Sequence, residues 1–177
     1  IGVGGIGLYM VQHAKNAGAF VIALEVSESK LENAKVNGAD SCILVKNLEE
    51  KIIRKTIQDI LKQNGLSKYQ CKIFETSGTG AGQTMAFSLL TYASTLGIIG
   101  FTMDKVTIRL SNIMAFDADI FGNWGCKPKY YYPVIDDCLS GNINIKHNIS
   151  EFPLDSINDV WNLTLTHKLE KRAIFIP

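Results

Sequence analysis

The most constraining feature of this 177-residue chain is its opening run, Gly2-Val3-Gly4-Gly5-Ile6-Gly7, which fits the spacing G-x-G-x-x-G. Glycines so spaced, set before a helical run, describe a tight turn whose backbone can approach a phosphate closely. Gly2 permits the sharp turn, Gly4 clears the approach path, and Gly7 lets the following helix lie against a strand. Amides at the helix start then face the anion, aided by the helix dipole. Glycine-rich turns are common, so this run alone is a weak signal. The next strand strengthens it. Val21-Ile22-Ala23-Leu24-Glu25 ends in an acid 18 residues beyond Gly7, close to the ~20 at which a dinucleotide fold places the carboxylate that holds the adenine ribose. Such a carboxylate accepts hydrogen bonds from a 2′,3′-diol and repels a 2′-phosphate, which predicts NAD rather than NADP. Lys30 falls within reach of the same ribose.

Behind the turn, short β-type runs alternate with helical runs, the pattern of a parallel sheet covered by helices on both faces. Helices are predicted over 8–17, from Ser27 or Ser29 to Asn37, and over 48–63, 81–93, 111–116, 128–139 and 154–166. Strands are predicted over 20–26, 41–45, 71–75, 95–101, 119–122, 148–152 and 173–176, with a short edge strand over 106–110. The fold class is therefore α/β, a doubly wound sheet. In that fold the glycine turn follows the first, central strand, of which only Ile1 is present. The chain accordingly reads as a piece that begins inside its own motif, with a sheet short of most of its first strand. A domain boundary is expected near Lys146, dividing a nucleotide-binding domain, 1–146, from a tail, 147–177, that belongs to a second domain.

Composition excludes several classes. Hydrophobic residues make up 46% and charged residues 20%, with a net charge of +1. That balance fits an ordinary globular chain and offers no basic stripe for nucleic acid. The apolar stretch from Met85 to Met103 is interrupted by Ser88, Thr91, Ser94, Thr95, Gly97 and Gly100, so it reads as a helix and a strand rather than a membrane span. Cys42, Cys71, Cys126 and Cys138 show no C-x-x-C spacing, and no signal peptide is visible. They read as buried or half-buried thiols of a cytoplasmic protein. His13, His147 and His167 read as surface or packing residues.

With these residues in view, the chain resembles the medium-chain, zinc-type alcohol dehydrogenases over nearly its whole length. The resemblance rests on the glycine run, Glu25 with Lys30, Phe74-Glu75-Thr76-Ser77-Gly78, Ile99-Gly100-Phe101, Asp119-Ile120-Phe121-Gly122, Phe152-Pro153-Leu154-Asp155-Ser156-Ile157-Asn158 and Lys171-Arg172-Ala173-Ile174. It implies that Thr76, Ser77 and Gly78 lie beside the adenosine, and that Ile6 presses on the nicotinamide. The backbone at Ile99, Gly100, Phe101, Asp119 and Phe121 would meet the carboxamide, and Arg172 would sit on the pyrophosphate. Thr76 and Ser77 depart from the family's frequent apolar choice. The tail would be the returning segment of a GroES-like catalytic domain. Zinc ligands and the proton relay would lie outside these residues, so no catalytic or metal-binding residue is assigned here.

A narrower group within the family matches further motifs: Gly100-Phe101-Thr102-Met103-Asp104-Lys105, Arg109-Leu110-Ser111-Asn112 and Gly122-Asn123-Trp124-Gly125-Cys126. These resemble the 6-hydroxycyclohex-1-ene-1-carbonyl-CoA dehydrogenases of anaerobic benzoyl-CoA breakdown. That likeness implies NAD-dependent oxidation of a secondary alcohol on an acyl-CoA thioester, with Lys105, Arg109, Lys127 and Lys129 available to CoA phosphates. Family members also pair as homo-oligomers through an edge strand, for which residues 95–110 are the candidates. Rival readings are an NADPH-dependent enoyl or quinone reductase, which Glu25 opposes; a module that senses NAD(H) without turnover, which would lack the returning tail; and a methyltransferase, whose closing antiparallel hairpin is not found.

Overall fold

The computed structural model describes residues 1–166 and 168–177; His167, named above, lies outside the described residues. The sheet forms in two pieces. In the first, β1 (Ile22–Glu25) pairs in parallel with β2 (Ser41–Leu44). In the second, β3 (Lys72–Glu75), β4 (Thr95–Ile98) and β5 (Asp119–Gly122) run parallel in that order. Ile1 and Gly2 span the seam between them. The Ile1 nitrogen donates to the Phe74 carbonyl at 2.7 Å, the Thr76 N–H to the Ile1 carbonyl at 2.9 Å, and the Gly2 N–H to the Leu24 carbonyl at 2.9 Å.

Helices cover both faces because alternate strand residues point to opposite sides. Ala23 packs with Val3, Leu8, Val11, Leu31 and Ala34 beneath α1 (Gly7–Asn16) and α2 (Glu28–Val36). Leu24 and Ile22 face the other way, into a cluster with Ile43, Val45 and Ile53 beneath α3 (Glu50–Gln63) and with Met85 of α4 (Gly80–Ser88). A third cluster joins Ala86, Phe87 and Leu96 to Ile113 of α5 (Ser111–Ala115). Ile1 packs against the second and third clusters, so its side chain also bridges the seam. This is the expected α/β doubly wound architecture, the Rossmann type. Gly18 and Gly38 end α1 and α2 at φ of +81° and +103°, left-handed positions that favour glycine.

Three expectations change. The edge strand over 106–110 does not form. Asp104 is tied to Gly80 by a side-chain bond of 3.1 Å and Ile108 packs into the third cluster, and residues 106–110 have no ladder partner among the described residues. Within 95–110, residues 95–98 supply no free edge, because β4 is paired on both sides. Finally, Cys126 is exposed, whereas Cys42, Cys71 and Cys138 are half-buried. Burial pushes the Cys42 and Cys71 thiols up from their ordinary pKa.

After a 3-10 turn over 128–130 and α6 (Tyr131–Leu139), the chain crosses to a separate parallel pair, β6 (Ile149–Pro153) and β7 (Arg172–Ile176), joined by α7 (Ile157–Leu165). Reciprocal amide bonds hold this crossover to the nucleotide-type half. Gln12 donates to the Asn144 carbonyl at 3.2 Å and accepts the Asn144 N–H at 2.6 Å, while Asn37 and Asn148 exchange bonds of 3.0 and 2.8 Å. Among the described residues no helix is long and apolar enough to cross a membrane.

A two-piece sheet joined by so few residues should unfold without strong cooperativity. A polypeptide of these 177 residues alone is expected to give a broad melt; a sharp transition in the ~45–65 °C range of mesophile domains would contradict this.

Candidate functional site

The glycine run folds as a turn that ends directly in α1. Gly2 has φ +80°, and a Cβ there would lie 2.6 Å from the backbone nitrogen of Ser77. At Gly7 a Cβ would lie 2.0 Å from the Gly2 carbonyl oxygen, so the helix can start only where no side chain stands. Gly4 differs: a Cβ there would meet nothing within 4 Å, so its free side faces open space. That space is a cleft of about 800 Å³ lined by Gly2, Gly4, Gly5, Ile6, Glu25, Lys30, Thr76, Ser77 and Arg172 among others.

Glu25, at the C-terminal end of β1, is buried yet borders the cleft. Its two oxygens accept the Val3 N–H at 2.9 Å and the Val26 N–H at 2.8 Å. Each carboxylate oxygen keeps further acceptor capacity, so the carboxylate fixes the glycine turn and still has lone pairs for a diol. Arg172, first in β7, comes from the far tail to cover the turn; a Cβ on Gly5 would lie 3.0 Å from its guanidinium. Burial pushes the Tyr9 phenol of α1 above its ordinary pKa, and the nearby Arg172 charge acts against that rise.

Thr76 and Ser77 border the cleft, but their hydroxyls are occupied. Thr76 Oγ1 donates to the Gly2 carbonyl, and Ser77 Oγ donates to the Glu75 carboxylate. They tie the walls together, a role the sequence did not disclose. Gly7, Gly78, Ile99, Gly100, Phe101, Asp119 and Phe121 do not line the cleft. Ile99, Gly100 and Phe101 stand just behind it, against Gly78. Asp119 starts β5 opposite Thr95, its N–H donates to the Ser94 carbonyl, and Gly122 ends that strand. Phe121 stacks its ring over Gly97. Lys105, Arg109, Lys127 and Lys129 are exposed; Lys129 Nζ lies 5.0 Å over the Tyr130 ring.

Sequence reasoning missed the opposite wall. Val160, Trp161 and Thr164 of α7 line the cleft. Ile157, Val160, Trp161 and Leu165 share one face of this helix by their spacing, but only Val160 is buried; Trp161 is 62% exposed. Among the described residues no group of three or more His, Cys, Asp or Glu could hold a metal ion, so the residues present do not fit a zinc site.

A glycine turn, a strand-end carboxylate and a returning arginine thus share one cleft. The family profile described as "Zinc-binding dehydrogenase" matches residues 5–140. The chain belongs to that family. Among curated members, the sorbitol dehydrogenase of Bombyx mori is 26% identical over 180 residues, covering 99% of this chain and 50% of the relative. The L-threonine 3-dehydrogenase of Pyrococcus horikoshii is 31% identical over 147 residues, covering 81% and 40%. The chain therefore spans about half the length of the zinc-binding dehydrogenases it matches. The fold agrees with a solved structure of the alcohol dehydrogenase from Aeropyrum pernix, with a TM-score of 0.85 at 24% identity over 99% of this chain and 48% of that one. Galactitol-1-phosphate dehydrogenase from Escherichia coli gives a TM-score of 0.84 at 17% identity, over 99% and 52%.

Proposed function

We propose that this chain carries the NAD-binding half of an NAD-dependent alcohol dehydrogenase. The observation that carries the proposal is the shared cleft, in which Gly4 leaves its approach side open while Glu25 and Arg172 border the same space. Amides of the glycine turn and the Arg172 guanidinium would hold the diphosphate. Glu25 would accept from the ribose diol, with Lys30 beside it. Ile6, exposed at the turn, would support the nicotinamide. Gly78, Ile99, Gly100, Phe101, Asp119 and Phe121 are kept as the farther wall. When bound, NAD supplies the hydride acceptor for oxidation of a secondary alcohol to a ketone. This chain's part is to bind and orient it. Removing the hydroxyl proton requires groups from outside residues 1–177.

The substrate we infer is a small molecule, an acyl-CoA thioester: 6-hydroxycyclohex-1-ene-1-carbonyl-CoA, oxidised to the 6-oxo product. Support comes from the narrower motif resemblance around Thr102–Lys105, Arg109–Asn112 and Asn123–Cys126. Residues 147–177 are assigned to the catalytic domain, and a homo-oligomer in the cytoplasm is the expected state. The test uses the full-length protein that bears these residues, assayed with NAD and NADP on the cyclic hydroxy-enoyl-CoA and on simple secondary alcohols. Turnover of the thioester with NAD and little with NADP is expected. Preference for NADP overturns the reading of Glu25; preference for simple alcohols overturns the thioester.

A further inference from the structure

We propose that Glu75 is a positioning residue that locks the loop Thr76–Gly78 to the strand end Ile99–Phe101, so that the two segments meet the cofactor as one rigid unit. The inference rests on the reading of the cleft as a dinucleotide site. Glu75 closes β3 and is completely buried. Its two ends hold different segments. The backbone carbonyl accepts from Ile99 N–H and Gly100 N–H, both at 2.9 Å. Side-chain Oε1 accepts from Ser77 N–H at 2.8 Å and from Ser77 Oγ. Ser77 borders the cleft; the strand end stands behind it.

The carboxyl group sits in a slot that only glycines leave open. A Cβ on Gly82 would lie 2.8 Å from Oε1, and one on Gly100 would lie 2.6 Å from Oε2. The two segments also touch directly: a Cβ on Gly100 would be 2.3 Å from the Gly78 nitrogen, and one on Gly78 would be 2.8 Å from the Phe101 carbonyl oxygen. Among the described residues, Oε2 is buried with no hydrogen-bond partner. Burying a polar atom unpaired is unfavourable, and an apolar side chain would fill the slot at lower cost. Packing alone therefore does not account for a carboxyl group here, whereas holding Ser77 through Oε1 while Oε2 wedges against Gly100 of the strand end does. Through Thr76, whose N–H and hydroxyl bond to the Ile1 carbonyl at 2.9 and 3.0 Å, the same unit reaches the glycine turn.

The test measures dissociation constants of NADH and of ADP-ribose, which lacks the nicotinamide, on the full-length protein. Glu75→Ala is expected to weaken NADH on the order of 10- to 100-fold and ADP-ribose by clearly less, because only NADH uses the strand end. Glu75→Gln keeps the acceptor for Ser77 and should restore NADH binding to within about threefold of wild type. Equal weakening of the two ligands, no weakening, or a glutamine variant as poor as alanine overturns the proposal. Should Glu75→Ala fail to fold, Ser77→Ala takes its place, with the same bias against NADH expected and its absence overturning the idea. A wild-type protein that binds NADH while the variants match it removes only the role of Glu75; one that binds neither ligand removes the dinucleotide reading and this inference with it.

Discussion

Gly7→Ala is expected to abolish cofactor binding and to lower stability by about 3 kcal/mol, the upper part of the range for an overpacked site. The added Cβ would lie 2.0 Å from the Gly2 carbonyl oxygen and 3.0 Å from Thr76 Oγ1, both held in place by the seam. Neither neighbour is the free end of a flexible side chain. The turn must open, and with it the bond from Thr76 to Gly2. Gly4→Ala supplies the contrast. Nothing stands within 4 Å of its new Cβ, so stability should stay within about 0.5 kcal/mol. NADH should still bind on the order of tenfold more weakly, because the methyl group occupies the space into which the diphosphate must come. Denaturant midpoints and NADH fluorescence titrations separate the two effects. If Gly4→Ala binds as wild type does, the diphosphate does not pass there.

Glu25→Ala should have the second-largest effect. Two hydrogen bonds to a carboxylate are lost from the ribose, which weakens NADH on the order of 100-fold. Discrimination against NADPH should fall further, since the repelling charge is gone and Lys30 remains beside the site. The same change leaves the Val3 and Val26 N–H groups without their acceptor, so part of the loss reflects a loosened turn. Glu25→Gln keeps the shape and removes the charge, but turns one acceptor into an NH2 facing the Val3 or Val26 N–H. It should relax NAD-over-NADP selectivity and cost about 1–3 kcal/mol of stability for the N–H left unpaired. NADH affinity unchanged in Glu25→Ala would sink the assignment of the carboxylate to the ribose.

Both predictions involve residues that were legible in the sequence, and their legibility has a common source. The glycine spacing and the acid that follows describe a backbone shape and a fixed path length along one strand–turn–helix–strand unit. Resemblance places Thr76 and Ser77 beside the adenosine but does not say what their hydroxyls bond, because a hydroxyl's partner is set by what lies opposite it. Here that partner is Gly2 or Glu75 rather than open cleft. Trp161 shares a helix face with Ile157, Val160 and Leu165 by its spacing, yet periodicity says which residues share a face and not what covers it.

The sequence by itself determined the alternation of helices and strands, the helix stops, the phosphate-type turn and the carboxylate at the end of β1. Those features depend on neighbours close along the chain. Only the tertiary structure decided that residues 106–110 form no strand, that Arg172 returns over Gly5, and that Glu75 fits between Gly82 and Gly100. A strand requires a ladder partner and a buried carboxyl group requires a slot, and both are supplied by segments distant in sequence, whose approach no local pattern encodes.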